Sequence, residues 1–182
     1  MGDNGKALKE FHGKACEIGV GDLFRTHAPA LRSFCHRLLS DSALADDAVQ
    51  QTFEIVLRTY GDLRDPARSR AWIFQIARNE CFRLLKRPRY LQLEEGQTAG
   101  RVSTPFHAAV DSDVRSIVRE AIDGLPHIYR EAVILRDMEG FPYAEIAVIT
   151  GVAISAVKFR IYRGRELLME MLQPVLKEWR MP

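Results

Sequence analysis

Apolar residues recur three and four apart along most of the chain, the spacing that puts them on one side of an α-helix. Phe24, Ala28, Leu31, Cys35 and Leu38 mark one such stripe, which stops at the polar break Ser40, Asp41, Ser42. A second runs from Ala45 through Ala48, Val49, Thr52, Phe53, Val56 and Tyr60. Its opposite side is acidic and amide-rich: Asp46, Asp47, Gln50, Gln51 and Glu54. After the Pro-containing connection GDLRDPARSR at 61–70, the residues Trp72, Ile73, Ile76, Ala77, Cys81 and Leu84 set up a third helix. Its outward face is predicted to carry Gln75, Arg78, Asn79, Phe82 and Lys86, an aromatic ring among bases and amides, the mixture that stacks and clamps unpaired nucleic acid. Glu80 falls close to the apolar stripe and does not fit it.

Periodicity lapses at Pro88, and residues 88–110, with Gly96, Gly100, Pro105 and the acids Glu94 and Glu95, read as a flexible linker. Beyond it Asp111, Ser112 or Asp113 is placed to cap a helix with Val114, Ile117, Val118, Ala121 and Ile122 inward. Pro126 suits the first turn of the next, which turns Ile128, Tyr129, Ala132 and Val133 to the core. No strand pattern competes and no repeat recurs. The expected fold is all-α: two small helical domains, at 21–87 and 111–175, joined by that linker, with an extension at 1–20 and a tail at 176–182.

The last two helices carry the most information. Tyr143, Ile146, Ala147 and Ile149 form the inner side of a short helix, Gly151 supplies a turn, and Ile154, Val157, Ile161, Gly164 and Leu168 recur on a second helix. That is the layout of a helix-turn-helix. The remaining face of the second helix presents Ser155, Lys158, Phe159 and Tyr162, flanked by Arg160, Arg163 and Arg165. A solvated surface helix also carries bases. Here four of them stand against the single acid Glu166 between positions 151 and 168, a balance suited to the major groove.

Composition narrows the classes. The 182 residues are 47% hydrophobic and 27% charged, enough for packed cores. Net charge is only +2, but it is uneven: positions 71–90 hold Arg78, Arg83, Lys86, Arg87 and Arg89 against Glu80, so two separated helices are basic. Cys16, Cys35 and Cys81 are an odd number at wide spacing and give no disulfide framework. Neither they nor the scattered His12, His27, His36, His107 and His127 have metal-ligand spacing, so no metal is expected. There is no nucleophile motif or phosphate loop, and an enzyme is not expected. No apolar run is long enough to span a bilayer and no secretion signal opens the chain, so the expected location is the cytoplasm.

Together these segments resemble the extracytoplasmic-function (ECF) branch of the bacterial sigma-70 family. DDAVQQTFEIVLR at 46–58 is similar to that family's core-polymerase-binding helix, and RAWIFQIARNECFRLLKR at 70–87 to its promoter-melting helix. LPHIYREAVILRDMEGFPYAEIA at 125–147 followed by GVAISAVKFRIYRGR at 151–165 is similar to its upstream-element-reading domain. The resemblance implies a promoter-selecting subunit without cofactor, with core RNA polymerase, promoter DNA and an anti-sigma factor as partners. It places polymerase binding on Asp46, Asp47, Gln50, Gln51 and Glu54. Promoter melting falls to Arg70, Trp72, Gln75, Arg78, Asn79, Phe82, Arg83 and Lys86, and upstream-element reading to Ser155, Lys158, Phe159, Arg160, Tyr162, Arg163 and Arg165. The chain departs from the family at Ala153, where a capping Ser or Pro is common, at Ser155 and Ala156, in place of a frequent Gly-Thr pair, and at Phe159, where a small polar residue is usual. Those changes bear on which promoter is read. A stand-alone helix-turn-helix repressor or activator would account for the C-terminal half and leave the acidic-amide and aromatic-basic helices unexplained.

Overall fold

A computed structural model describes residues 19–63, 65–86 and 113–178. Among them are seven α-helices and no strand. The first three are α1 (Val20–Leu39), α2 (Ser42–Thr59) and α3 (Ser69–Leu85), with single 3₁₀ turns at Tyr60–Asp62 and Pro66–Arg68. The last four are α4 (Asp113–Asp123), α5 (His127–Val133), α6 (Tyr143–Thr150) and α7 (Ile154–Glu178). A π-helical turn, Ile134–Met138, extends α5. The predicted linker and both termini lie outside the described residues.

Local chemistry sets the boundaries. α1 stops where Ser40 takes a left-handed backbone (φ 53°), its N–H bonded to His36 O, and α2 begins at once because the Asp41 carboxylate accepts from Leu44 N at 3.0 Å. α2 therefore starts three residues before the expected Ala45. Thr52, a polar residue inside an apolar stripe, is tolerated because its hydroxyl donates to Ala48 O at 2.6 Å. Glu80, which did not fit the stripe of α3, stays largely buried by pairing with Arg83 Nε at 2.7 Å.

Leu31, Phe34, Leu38, Ala45, Ala48, Val56, Ile73, Phe74 and Ala77 fill the core between α1, α2 and α3. Ile134, Leu135, Phe141, Ile146, Ile149, Val157 and Ile161 fill the C-terminal half. The two sets are continuous: Phe34, Phe74 and Phe141 form a chain of rings, with centroids 5.3 and 4.9 Å apart, from α1 through α3 to the loop before α6. Three residues expected inward are not. Phe24, Ile128 and Ile154 are 47%, 44% and 45% exposed, since each sits at the edge of its stripe, and Phe24 instead lays its ring on Phe53.

Candidate nucleic-acid and polymerase interfaces

The turn between α6 and α7 depends on Gly151, which closes α6 in the left-handed region (φ 69°) and donates its N–H to Ala147 O at 2.9 Å. A side chain there would meet nothing within 4 Å, so the backbone conformation, not space, calls for glycine. Ile146, Ile149, Val157 and Ile161 lock the two helices together and leave Ser155, Lys158, Phe159 and Tyr162 exposed on α7, the two rings at 60% and 63%. The exposed face is the one expected from the sequence.

The arginines are less free than the sequence suggested. Arg163 pairs with Glu166 at 3.0 Å and approaches Glu170 at 3.9 Å; Arg165 grips Asp137 with two nitrogens. Arg160 is half-buried and lends its charge to the field around Glu131. The Tyr162 hydroxyl bonds to Glu166, which raises the tyrosine's pKa and, together with Arg163, lowers that of the glutamate. Exposed pairs of this kind contribute little stability, so a phosphate can replace Glu166 at Arg163 at small cost.

On α2, Asp47 and Gln50 are exposed, and Gln50 and Gln51 both donate to the Glu54 carboxylate, at 3.1 and 3.3 Å. Asp46 instead turns to α1, where Arg32 Nε lies 3.1 Å from its carboxylate and His36 4.0 Å away. One residue escaped the sequence reading: Leu57, 65% exposed, follows Gln50 and Glu54 at helical spacing and adds an apolar anchor to their face. Its only signal in the sequence was an apolar residue out of phase with the stripe.

On α3 the expected outward face divides. Asn79, Arg83 and Lys86 are exposed. Gln75 and Arg78 were expected to face solvent and are instead half-buried, each tied to the C-terminal half. Gln75 Nε2 donates to Val148 O at 3.2 Å, and Arg78 Nε donates to Glu131 at 2.6 Å while its guanidinium lies 4.4 Å above the Phe82 ring. Phe82 is thereby partly covered. Arg70 donates to Glu139 O at 2.5 Å and stacks 4.1 Å from the Phe141 ring centroid. Trp72, also half-buried, lines with Gln75 and Val148 an open cleft of about 560 Å³ between α3 and α6.

The seam rests on two charges absent from the sequence expectations. Glu131 is 1% exposed, and burial raises its pKa against the opposing pull of Arg78. Arg130 is 6% exposed, donates to Leu38 O, Leu125 O and Asp123 O, and has its pKa lowered by burial.

Among the described residues the protein is all-helical, with a helix-turn-helix of the DNA-binding kind packed against an aromatic-basic helix. Two family models agree with that division: sigma-70 region 2 matches residues 23–89, and sigma-70 region 4 matches residues 115–168. The chain is 34% identical over 154 residues to the RNA polymerase sigma factor CarQ of Myxococcus xanthus, covering 83% of this chain and 87% of that one. It is 30% identical over 156 residues to the ECF sigma factor SigE of Mycolicibacterium smegmatis, covering 83% of this chain and 60% of the relative. Among solved structures it is similar to the sigma factor RpoE of Bartonella quintana, solved with the anti-sigma factor NepR: TM-score 0.66, 33% identity, 82% of this chain and 94% of that one. The chain belongs to the sigma-70 family, as an ECF-type alternative sigma factor. Proteins of this family are regulatory subunits of RNA polymerase rather than enzymes themselves.

Proposed function

We propose that this chain directs core RNA polymerase to a small set of promoters by three surfaces, carried by two domains at 21–87 and 111–175. The exposed network of Asp47, Gln50, Gln51 and Glu54, with Leu57 beside it, docks on a basic surface of the polymerase. Asp46, already paired to Arg32, contributes through the shape of α2 rather than a free charge. Trp72, Asn79, Phe82, Arg83 and Lys86, joined by Arg70, Gln75 and Arg78 once released, hold the unpaired strand, with aromatic stacking worth about 1–3 kcal/mol per base. Lys158, Phe159 and Tyr162, with Ser155 and Arg163, read the upstream element, while Arg160 and Arg165 meet phosphate.

The observation that carries this reading is the exposed face of α7, two rings and a lysine on a helix held by a glycine-closed turn. The protein has no catalysis of its own, works in the cytoplasm and is restrained by an anti-sigma factor. Among the described residues no helix is long and apolar enough to cross a membrane.

Pull-down of purified core polymerase tests the docking surface. Reversing charge at Asp47 and Glu54 leaves the helical circular dichroism unchanged and weakens capture; undiminished capture removes these residues from the interface.

A further inference from the structure

Phe159 stands two residues from Val157 and two from Ile161, and at about 3.6 residues per turn that places it about 160° around α7 from each of them. Val157 and Ile161 are the residues that seat α7 in the core, both almost fully buried. Phe159 therefore occupies the centre of the outward face, and among the described residues no other ring and no cation stacks on it.

The surroundings of the ring are polar. Ser155 lies one turn before it, and Tyr162 lies nearly one turn after it with its hydroxyl bonded to Glu166. Lys158 and Arg165 fall to one side of this line of residues, Arg160 and Arg163 to the other. Cations on both flanks with a ring between them match the groove of a duplex, where two walls of phosphate border a floor of base edges. A phenyl ring in the middle of such a face is selective because of what it lacks. It neither donates nor accepts a hydrogen bond, so a polar base edge pressed against it loses water without compensation. The one apolar group on the floor of the major groove is the 5-methyl of thymine.

We propose that Phe159 is a specificity-determining residue that selects a thymine in the upstream element, through contact of its ring with the 5-methyl group. The proposal rests on the DNA-reading assignment of α7 and names the base that its central residue takes. Burial of one methyl strengthens binding about fourfold, and the exclusion of bases that put a polar group against the ring adds to the preference.

The test uses the full chain bound to core polymerase. An upstream element selected from a randomised pool should hold one position where the wild type and Phe159→Leu require thymine and Phe159→Ala does not. Deoxyuridine at that position keeps every hydrogen-bonding group of thymine and lacks only the methyl. It should weaken wild-type binding about fourfold and leave binding by Phe159→Ala unchanged. Equal affinity of the wild type for thymine and deoxyuridine at every position of the element would overturn the proposal. So would the same loss on deoxyuridine with and without the ring, or a loss in Phe159→Ala that is uniform over all upstream sequences. A wild-type complex that selects no upstream element at all would sink the DNA-reading assignment itself, whereas a selected element indifferent to the methyl sinks this proposal alone.

Discussion

Gly164 lies in the middle of α7, where an alanine would ordinarily strengthen a helix by about 1 kcal/mol. The structure predicts the opposite sign. A Cβ at this position would stand 2.7 Å from Val133 Cγ2, 3.3 Å from Tyr129 O and 3.4 Å from Tyr129 Cβ, so the crossing of α5 and α7 depends on the missing side chain. Val133 is 3% exposed and β-branched on a helix, with one strongly preferred rotamer, and Tyr129 O belongs to the backbone. Neither yields cheaply, and overpacking of this kind costs about 1–3 kcal/mol. Set against the gain in propensity, Gly164→Ala should lose up to about 2 kcal/mol, a fall in Tm of up to about 8 °C for a chain of this size. Thermal melts by circular dichroism read it directly. Val133→Ala removes the nearest collision, so in that background Gly164→Ala should cost less, a coupling that a double-mutant cycle isolates. A rise in Tm for the single variant, or the same loss in both backgrounds, would show that α5 and α7 do not cross at Gly164.

Three further outcomes follow from the same geometry. Phe82→Ala should slow transcription from a duplex promoter far more than from a pre-melted one, because the ring's role lies in capturing an unpaired base; equal losses on both templates count against it. Arg163→Ala should relax preference at one promoter position, whereas Arg165→Ala, remote beside Asp137, should weaken all sequences alike and lower the salt slope by about 1; selection from a randomised upstream element separates them, and the reverse pattern means the reading face is rotated. Burial raises the Glu131 pKa, so between the ordinary carboxylate range and its raised value the folded chain holds more protons than the unfolded one, and Glu131's contribution to stability falls as pH rises through that window. Urea melts at about pH 7 and about pH 5 should therefore move the stability gap between wild type and Glu131→Gln in favour of wild type at the lower pH, and movement the other way would contradict burial as the dominant influence.

The helix-turn-helix was legible because its information is local. Ile146, Ile149, Val157 and Ile161 are buried as their spacing requires, and Gly151 takes the left-handed turn. Gly164 fell on the inner stripe, although the pattern gave no hint that a neighbour fills its empty side. The acidic-amide face of α2 was also read correctly as a face, apart from Asp46, whose partner lies on another helix. What the pattern missed was long-range. Arg78 and Glu131 are 53 positions apart, and Arg70 and Glu139 are 69 apart. Nothing in a helical period marks a charge as buried when its counter-ion comes from a different helix. Glu80 showed the local version: an acid on an apolar stripe has a partner one turn away, and Arg83 was that partner.

The most direct test of the account is reconstituted transcription: the purified chain, core RNA polymerase and a library of random promoter sequences, with transcripts sequenced from their 5′ ends. The account predicts that transcripts appearing only when the chain is present share two sequence elements at a fixed separation, and that the chain co-elutes with core polymerase. Sequence-specific DNA binding without co-elution, and transcription unchanged or merely blocked, would contradict it and leave a stand-alone helix-turn-helix regulator.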